Sequence, residues 1–126
     1  MKKGFIFLFS ALLLTAFGFI GLGIYERAHF SQPNLANGKA LYERNCLVCH
    51  GDYGQGNGTA ANALATKPEN IYQALDTPLG YKSRLIAQVM YGDSDSMPAF
   101  RNGLTKEDVN DIFEYVIDIN EEKRTQ

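Results

Sequence analysis

Apolar side chains are bunched at the start of the chain and recur rhythmically towards its end. After Lys2 and Lys3, the 21 residues from Gly4 to Ile24 carry only two polar side chains, Ser10 and Thr15. As a helix rising about 1.5 Å per residue, this stretch would be about 31 Å long, close to the hydrocarbon thickness of a bilayer. A signal peptide, the competing reading, has a shorter apolar region and ends in a small-x-small site. The exit Tyr25-Glu26-Arg27-Ala28-His29-Phe30 lacks that pattern. The expectation is a retained transmembrane anchor over residues 1–24, with Lys2 and Lys3 in the cytoplasm and Tyr25 at the far interface. On either reading, residues 25 onward lie outside the cytoplasmic membrane.

Beyond the anchor the polar positions take over. Residues 25–33 read as a tether ending at Pro33, with His29 as a solvated linker residue. Asn34 is placed to cap a helix that runs through Leu35, Ala36, Ala40, Leu41 and Tyr42 to the cysteines. From Gly51 to Gly58 there is no hydrophobic period, which predicts a sharply bending loop. A short helical piece is expected over Glu69–Leu75. A longer helix is expected over Tyr81–Tyr91, where Leu85, Ile86, Val89 and Met90 form one stripe and Gly92 ends it. After the loop Asp93–Pro98, Thr105 and Asp108 have capping-box spacing. Val109, Ile112, Phe113, Val116 and Ile119 then recur at helical intervals. No strand pattern and no internal repeat is visible. The fold class is therefore all-α, with three to four short helices in a domain over residues 34–120 and a polar tail over 121–126.

Composition narrows the function. The 126 residues carry a net charge of −2, with 45% hydrophobic and 21% charged residues, which excludes a disordered tail and a polybasic nucleic-acid binder. From residue 25 onward, ten Lys and Arg face fourteen Asp and Glu, a net −4. That balance suits neutral or basic protein partners better than nucleic acid or anionic lipid. A helical domain of under a hundred residues buries only about 60% of its unfolded surface. A large, flat, apolar cofactor would complete such a core.

The cysteines name one. Cys46-Leu47-Val48-Cys49-His50 has the spacing for covalent attachment of haem c, with both thiols forming thioethers and the histidine beneath the iron. A redox dithiol wants a thioredoxin-like βαβ surround, and a structural zinc site wants four ligands. Neither is provided for, and the two cysteines are too close together to staple a fold. For the sixth ligand, Met97 sits in a polar loop before Pro98, where proline can aim the sulfur. Met90 lies on a helical stripe, where methionine usually fills a core. An open position is the third alternative. Met97 is the expected sixth ligand, since histidine with methionine is an established axial set for haem iron. Lys67, Arg84, Arg101 and Tyr72 are candidates for holding a haem propionate. The glycines at 51, 54, 56 and 58 lack the GxGxxG spacing and preceding strand of a phosphate loop, and Asp52 lacks the companion ligands of an EF-hand.

From Asn34 to Asn120 the chain resembles class I monohaem cytochromes c, especially the group that includes the cytochrome subunits of cbb3-type oxidases. The resemblance rests on Gly38-x-x-x-Tyr42-x-x-x-Cys46-x-x-Cys49-His50-Gly51, on Tyr91-Gly92 before Met97-Pro98-Ala99-Phe100, and on Leu104-Thr105 opening a helix that reaches Tyr115-Val116. It implies that the first and last helices of the domain cross at Gly38, with Tyr42 and Tyr115 packed there. It also implies that Pro68 supplies the carbonyl that orients His50. The function expected is a membrane-anchored electron carrier, not an enzyme. It would pass single electrons between redox proteins of a respiratory chain on the periplasmic side of a bacterial cytoplasmic membrane, leaving by the haem edge near Leu47 and Val48. The alternative is an integral haem subunit of a larger oxidase or dehydrogenase complex.

Overall fold

The computed structural model describes residues 8–19, 32–76, 82–93 and 96–126. The chain divides into two units, Met1–Ser31 and Gln32–Gln126. In the first, residues 8–19 are helical (α1) and expose their apolar side chains, Leu8 at 72% and Leu14 at 73%. Among the described residues no helix is long and apolar enough to cross a membrane. The ends of the expected anchor, together with His29 and most of the tether, lie outside the described residues.

The second unit is helical, and no strand occurs among its described residues. Its helices are α2 (Leu35–Asn45), α3 (Leu47–His50), α4 (Ile71–Leu75), α5 (Lys82–Tyr91) and α6 (Lys106–Arg124), with a 3-10 turn at Ala61–Ala63. Asn34 caps α2 through its side chain, which accepts from the Asn37 amide at 3.0 Å. The capping box on α6 is complete: Thr105 Oγ1 accepts from the Asp108 amide, and Asp108 Oδ2 accepts from the Thr105 amide. The short helix expected from Glu69 starts at Ile71, because Asn70 takes the extended cap conformation and its side chain accepts from the Gln73 amide. Residues 121–124, read from the sequence as part of the polar tail, continue α6. Glu121, Glu122, Lys123 and Arg124 are good helix formers, and the two basic residues sit at the negative end of the helix dipole.

The packing of α2 against α6 organises the unit. A Cβ on Gly38 would lie 2.1 Å from the Asp111 carbonyl oxygen, so the two backbones touch at a point where only glycine fits. Tyr42 and Tyr115 meet at the same crossing, with ring centroids 5.8 Å apart. Polar bonds lock its open end, where the Asn34 amide and the Asn37 side chain both donate to Asp111. The apolar stripe of α6 faces inward: Val109, Ile112, Phe113 and Val116 are buried with Tyr42 and Leu41 of α2 and Ile86 of α5. Ile119, the last member of the predicted stripe, is only half-buried. Lys82 at the start of α5 donates to Asn110 and pairs with Glu114, tying α5 to α6.

Candidate functional site

Between α3, α5, α6 and the two loops that follow α3 and α5 lies a cavity of about 480 Å³. Its volume falls within the range of sites that take a compact organic ligand, roughly 300–1,000 Å³. Cys46, Cys49 and His50 line it from the end of α2 and from α3, with Met97 contributed by the loop after α5. Leu85 and Val89 of α5, Ile71 of α4 and Phe113 of α6 make its apolar walls. The structure thus gathers the four residues that the motif and the polar loop singled out. Met90 is not among the lining residues. It sits on α5, where its carbonyl accepts from the Arg101 amide at 3.0 Å.

Local geometry explains how the attachment motif is presented. Cys46 ends α2, with its amide donating to the Tyr42 carbonyl at 2.8 Å, and its own carbonyl accepts from the His50 amide at 2.8 Å. One helical turn therefore carries both thiols and the imidazole. Burial, with Cys49 as a second and smaller influence, pushes the Cys46 thiol up to about 12. A redox-active dithiol needs the opposite shift, toward thiolate. Among the described residues no group of three or more His, Cys, Asp or Glu side chains is placed to hold a metal ion, so a protein-only zinc site is not built there.

His50 is set up as a ligand. Its Nδ1 lies 3.1 Å from the Glu69 carbonyl oxygen. A carbonyl only accepts, so the proton sits on Nδ1 and the lone pair is left on Nε2. Burial lowers the affinity of the ring for a second proton, outweighing the opposing pull of the Glu69 carbonyl. A neutral imidazole is what metal ligation requires. The orienting carbonyl is a correction to the expectation for Pro68. A Cβ on Gly56 (φ 72°) would meet the Pro68 carbonyl oxygen at 2.0 Å, so that carbonyl is turned onto the glycine loop. The next carbonyl along the non-helical chain faces the histidine instead. No residue-type signal carries this distinction, because either carbonyl belongs to the backbone.

The Met97 loop is pinned on two sides. The Asp93 amide donates to the Met97 carbonyl at 3.0 Å, and the Phe100 and Arg101 amides donate to the carbonyls of Val89 and Met90 on α5. On the other side, the Thr66 amide donates to Ser96 Oγ at 3.1 Å. Nothing in the residue pattern singled out Thr66 or Ser96, since the contact joins residues thirty apart through one main-chain donor. Of the four candidate propionate partners, Lys67 lines the cavity. The Tyr72 hydroxyl accepts from Arg124, Arg101 lies over the Tyr91 ring, and Arg84 is exposed and outside the lining.

The donor set fits a covalently held haem. Two thiols, a neutral imidazole and a neutral thioether converge on a mostly apolar chamber, and these are the groups that thioether attachment and His/Met ligation use.

Comparison with known proteins agrees with this chemistry. Residues 33–116 match the family model for cytochrome c oxidase, cbb3-type, subunit III. Cytochrome c6 of Parathermosynechococcus lividus is 36% identical over 86 residues, covering 68% of this chain and 90% of that protein. Cytochrome c6 of Synechocystis is 29% identical over 115 residues, covering 88% of this chain and 87% of that protein. The cbb3-type cytochrome c oxidase subunit CcoP of an Azospirillum strain is 33% identical over 82 residues, which is 65% of this chain but 27% of CcoP. No solved structure gives a significant match. With a family match spanning most of the chain and a helical unit built around a Cys-x-x-Cys-His cavity, the chain belongs to the cytochrome c family that includes cbb3-type oxidase subunit III, whose members bind haem c covalently and carry electrons instead of acting as enzymes.

Proposed function

We propose that this chain is a membrane-anchored monohaem cytochrome c that relays single electrons between redox proteins of a respiratory chain. Cys46 and Cys49 hold the haem, and His50 and Met97 are its axial iron ligands. The observation that carries this reading is that all four side chains line one cavity, while Met90 does not. Haem c, when bound, supplies one iron centre that gains and loses one electron.

The residues of the chain decide how that centre behaves. A thioether is soft and neutral, so Met97 favours ferrous over ferric iron relative to a second imidazole and raises the potential. The apolar walls, Leu85, Val89, Ile71 and Phe113, penalise the additional positive charge of the oxidised state. Two strong axial ligands leave no position for substrate, which makes the site a relay. Val48, 53% exposed between the two cysteines, marks the face where a partner can approach the attachment edge. The acidic balance of the domain favours a neutral or basic partner at that approach.

The anchor reading places the haem domain on the periplasmic side of a bacterial cytoplasmic membrane. It is supported by the uncharged, mostly apolar run Gly4–Ile24 and by the exposed apolar surface of α1. A mature chain beginning near residue 30 would instead make that run a signal peptide. The match to CcoP favours a second reading, in which the chain is a fixed subunit of an oxidase. Copurification of a stoichiometric complex in mild detergent supports that reading, and a lone monomer supports the carrier.

The deciding experiment for the site uses Met97→Ala and Met90→Ala in the mature holoprotein. Met97→Ala is expected to abolish the methionine–iron charge-transfer absorption and lower the reduction potential, while Met90→Ala keeps the band. Survival of the band in Met97→Ala overturns the ligand assignment.

A further inference from the structure

Resting on the His50/Met97 ligand set proposed above, we propose that the segment from Thr66 to Glu69 is a bridge that positions both axial ligands, with Ser96 as the positioning residue that clasps it to the Met97 loop. The two ends of this segment reach the two ligands separately. At one end, the Thr66 amide donates to Ser96 Oγ at 3.1 Å, and Ser96 immediately precedes Met97. At the other, the Glu69 carbonyl faces His50 Nδ1 at 3.1 Å. Four consecutive residues thus contact the neighbour of one ligand and the ring of the other.

What lies between the ends makes the segment stiff. Pro68 fixes its own φ, and its ring disfavours the helical region for Lys67. Gly56 packs its Cα against the Pro68 carbonyl so closely that a Cβ would lie 2.0 Å from the oxygen. The Ile71 amide donates to the Gly54 carbonyl at 2.7 Å, holding the C-terminal end of the segment to the same glycine loop. The segment is therefore fixed against the loop that follows the attachment motif, and a movement of one end is felt at the other.

The clasp acts on Met97 from a wall that α5 does not supply. The bonds from Phe100 and Arg101 hold the loop to α5 from behind. Ser96 ties it across to the 66–69 segment, and Thr66 and Ser96 both line the cavity. Loss of the tie would free the loop to carry the Met97 sulfur away from the iron it is proposed to bind, leaving room for an external ligand. The Thr66–Ser96 bond is solvent-exposed, so water can take over the freed amide. The effect is therefore that of one modest hydrogen bond, about a three- to fivefold change in the opening equilibrium.

The test is an imidazole titration of the ferric holoprotein, followed by loss of the methionine–iron charge-transfer band. Ser96→Ala is expected to bind imidazole about three- to fivefold more tightly than the parent protein. Ser96→Thr, which keeps the hydroxyl, is expected to restore the parent affinity. Thr66→Ala, which keeps the backbone amide, is expected to change nothing. Parent-like imidazole affinity in Ser96→Ala, alongside a Met97→Ala variant that has lost the band, overturns the bridge and leaves the ligand assignment standing. An effect of equal size in Thr66→Ala moves the cause to the side chain and also overturns it. If Met97→Ala keeps the band, the ligand assignment fails and the bridge falls with it.

Discussion

At the scale of single residues, the geometry turns on contacts between backbone and backbone, and these differ in how far a sequence announces them. Gly38 is announced only through the family resemblance, and the structure supplies the reason, since α6 comes too close there for any side chain. A methyl group there would stand 2.1 Å from the Asp111 carbonyl, an atom that cannot rotate out of the way. Gly38→Ala is therefore expected to force the α2–α6 crossing apart and destabilise the holoprotein by about 1–3 kcal/mol. Denaturant unfolding of the two proteins, followed by far-ultraviolet circular dichroism, measures this, and an unchanged midpoint refutes the contact. The carbonyl that orients His50 is not announced. Pro68 and Glu69 both offer one; the Pro68 carbonyl packs on Gly56, and the Glu69 carbonyl is the one 3.1 Å from His50 Nδ1. Side-chain identity decides which atoms can pack, but the direction of a main-chain oxygen in a non-helical segment is set by contacts distant in the chain.

At the scale of elements, the helices whose capping and apolar period agree are those the sequence resolves best. The start of α6 was readable from Thr105 and Asp108, and its inward stripe from Val109, Ile112, Phe113 and Val116. Its end was not readable, because residues 121–124 have helix propensity without apolar residues to mark it. The capping carboxylate also links this element to pH. The Thr105 backbone amide, followed by the Asn37 side chain, holds the Asp108 carboxyl below its usual range against the opposing effect of burial. A depressed folded-state value means that the ionised carboxylate stabilises the fold above the ordinary carboxylate range, about pH 4, and that this contribution is lost as the pH falls through the lower folded-state value. Asp108→Asn is expected to lower stability at neutral pH and to flatten the loss of stability on acidification. Unfolding free energies measured from neutral pH to about pH 2 check the sign. A variant whose acid limb is as steep as that of the parent would show that Asp108 is not one of the groups responsible.

At the scale of the whole molecule, the helical unit pairs a close contact, α2 against α6, with a large cavity lined by α3, α5 and the Met97 loop. The sequence foreshadowed this imbalance, since a domain under a hundred residues with glycine-rich loops has too few large side chains to close its own centre. It did not indicate which walls would face the void, because that depends on how α5 and the Met97 loop return to α6. At roughly 24 cal/mol per Å³, an enclosed void of about 480 Å³ would cost about 12 kcal/mol, an upper bound for this open cleft. That is as large as the entire stability of an ordinary domain, about 5–15 kcal/mol. Water filling the cleft lessens the cost but restores none of the packing against Leu85, Val89 and Phe113. The chain without its cofactor is therefore expected to lose α5 and the Met97 loop, which serve as walls, before the α2–α6 crossing, where Tyr42, Val109 and Val116 are almost fully enclosed by protein. A Cys46→Ser/Cys49→Ser protein, produced beside the parent under conditions that attach haem to the latter, tests this. Its helical circular dichroism should be reduced and its thermal transition broad, with hydrogen exchange slowed only in α2 and α6. A sharp transition and protected amides throughout α5 would mean that the polypeptide closes its own core, and the cofactor would then have to be regarded as a guest in a completed fold instead of part of its interior.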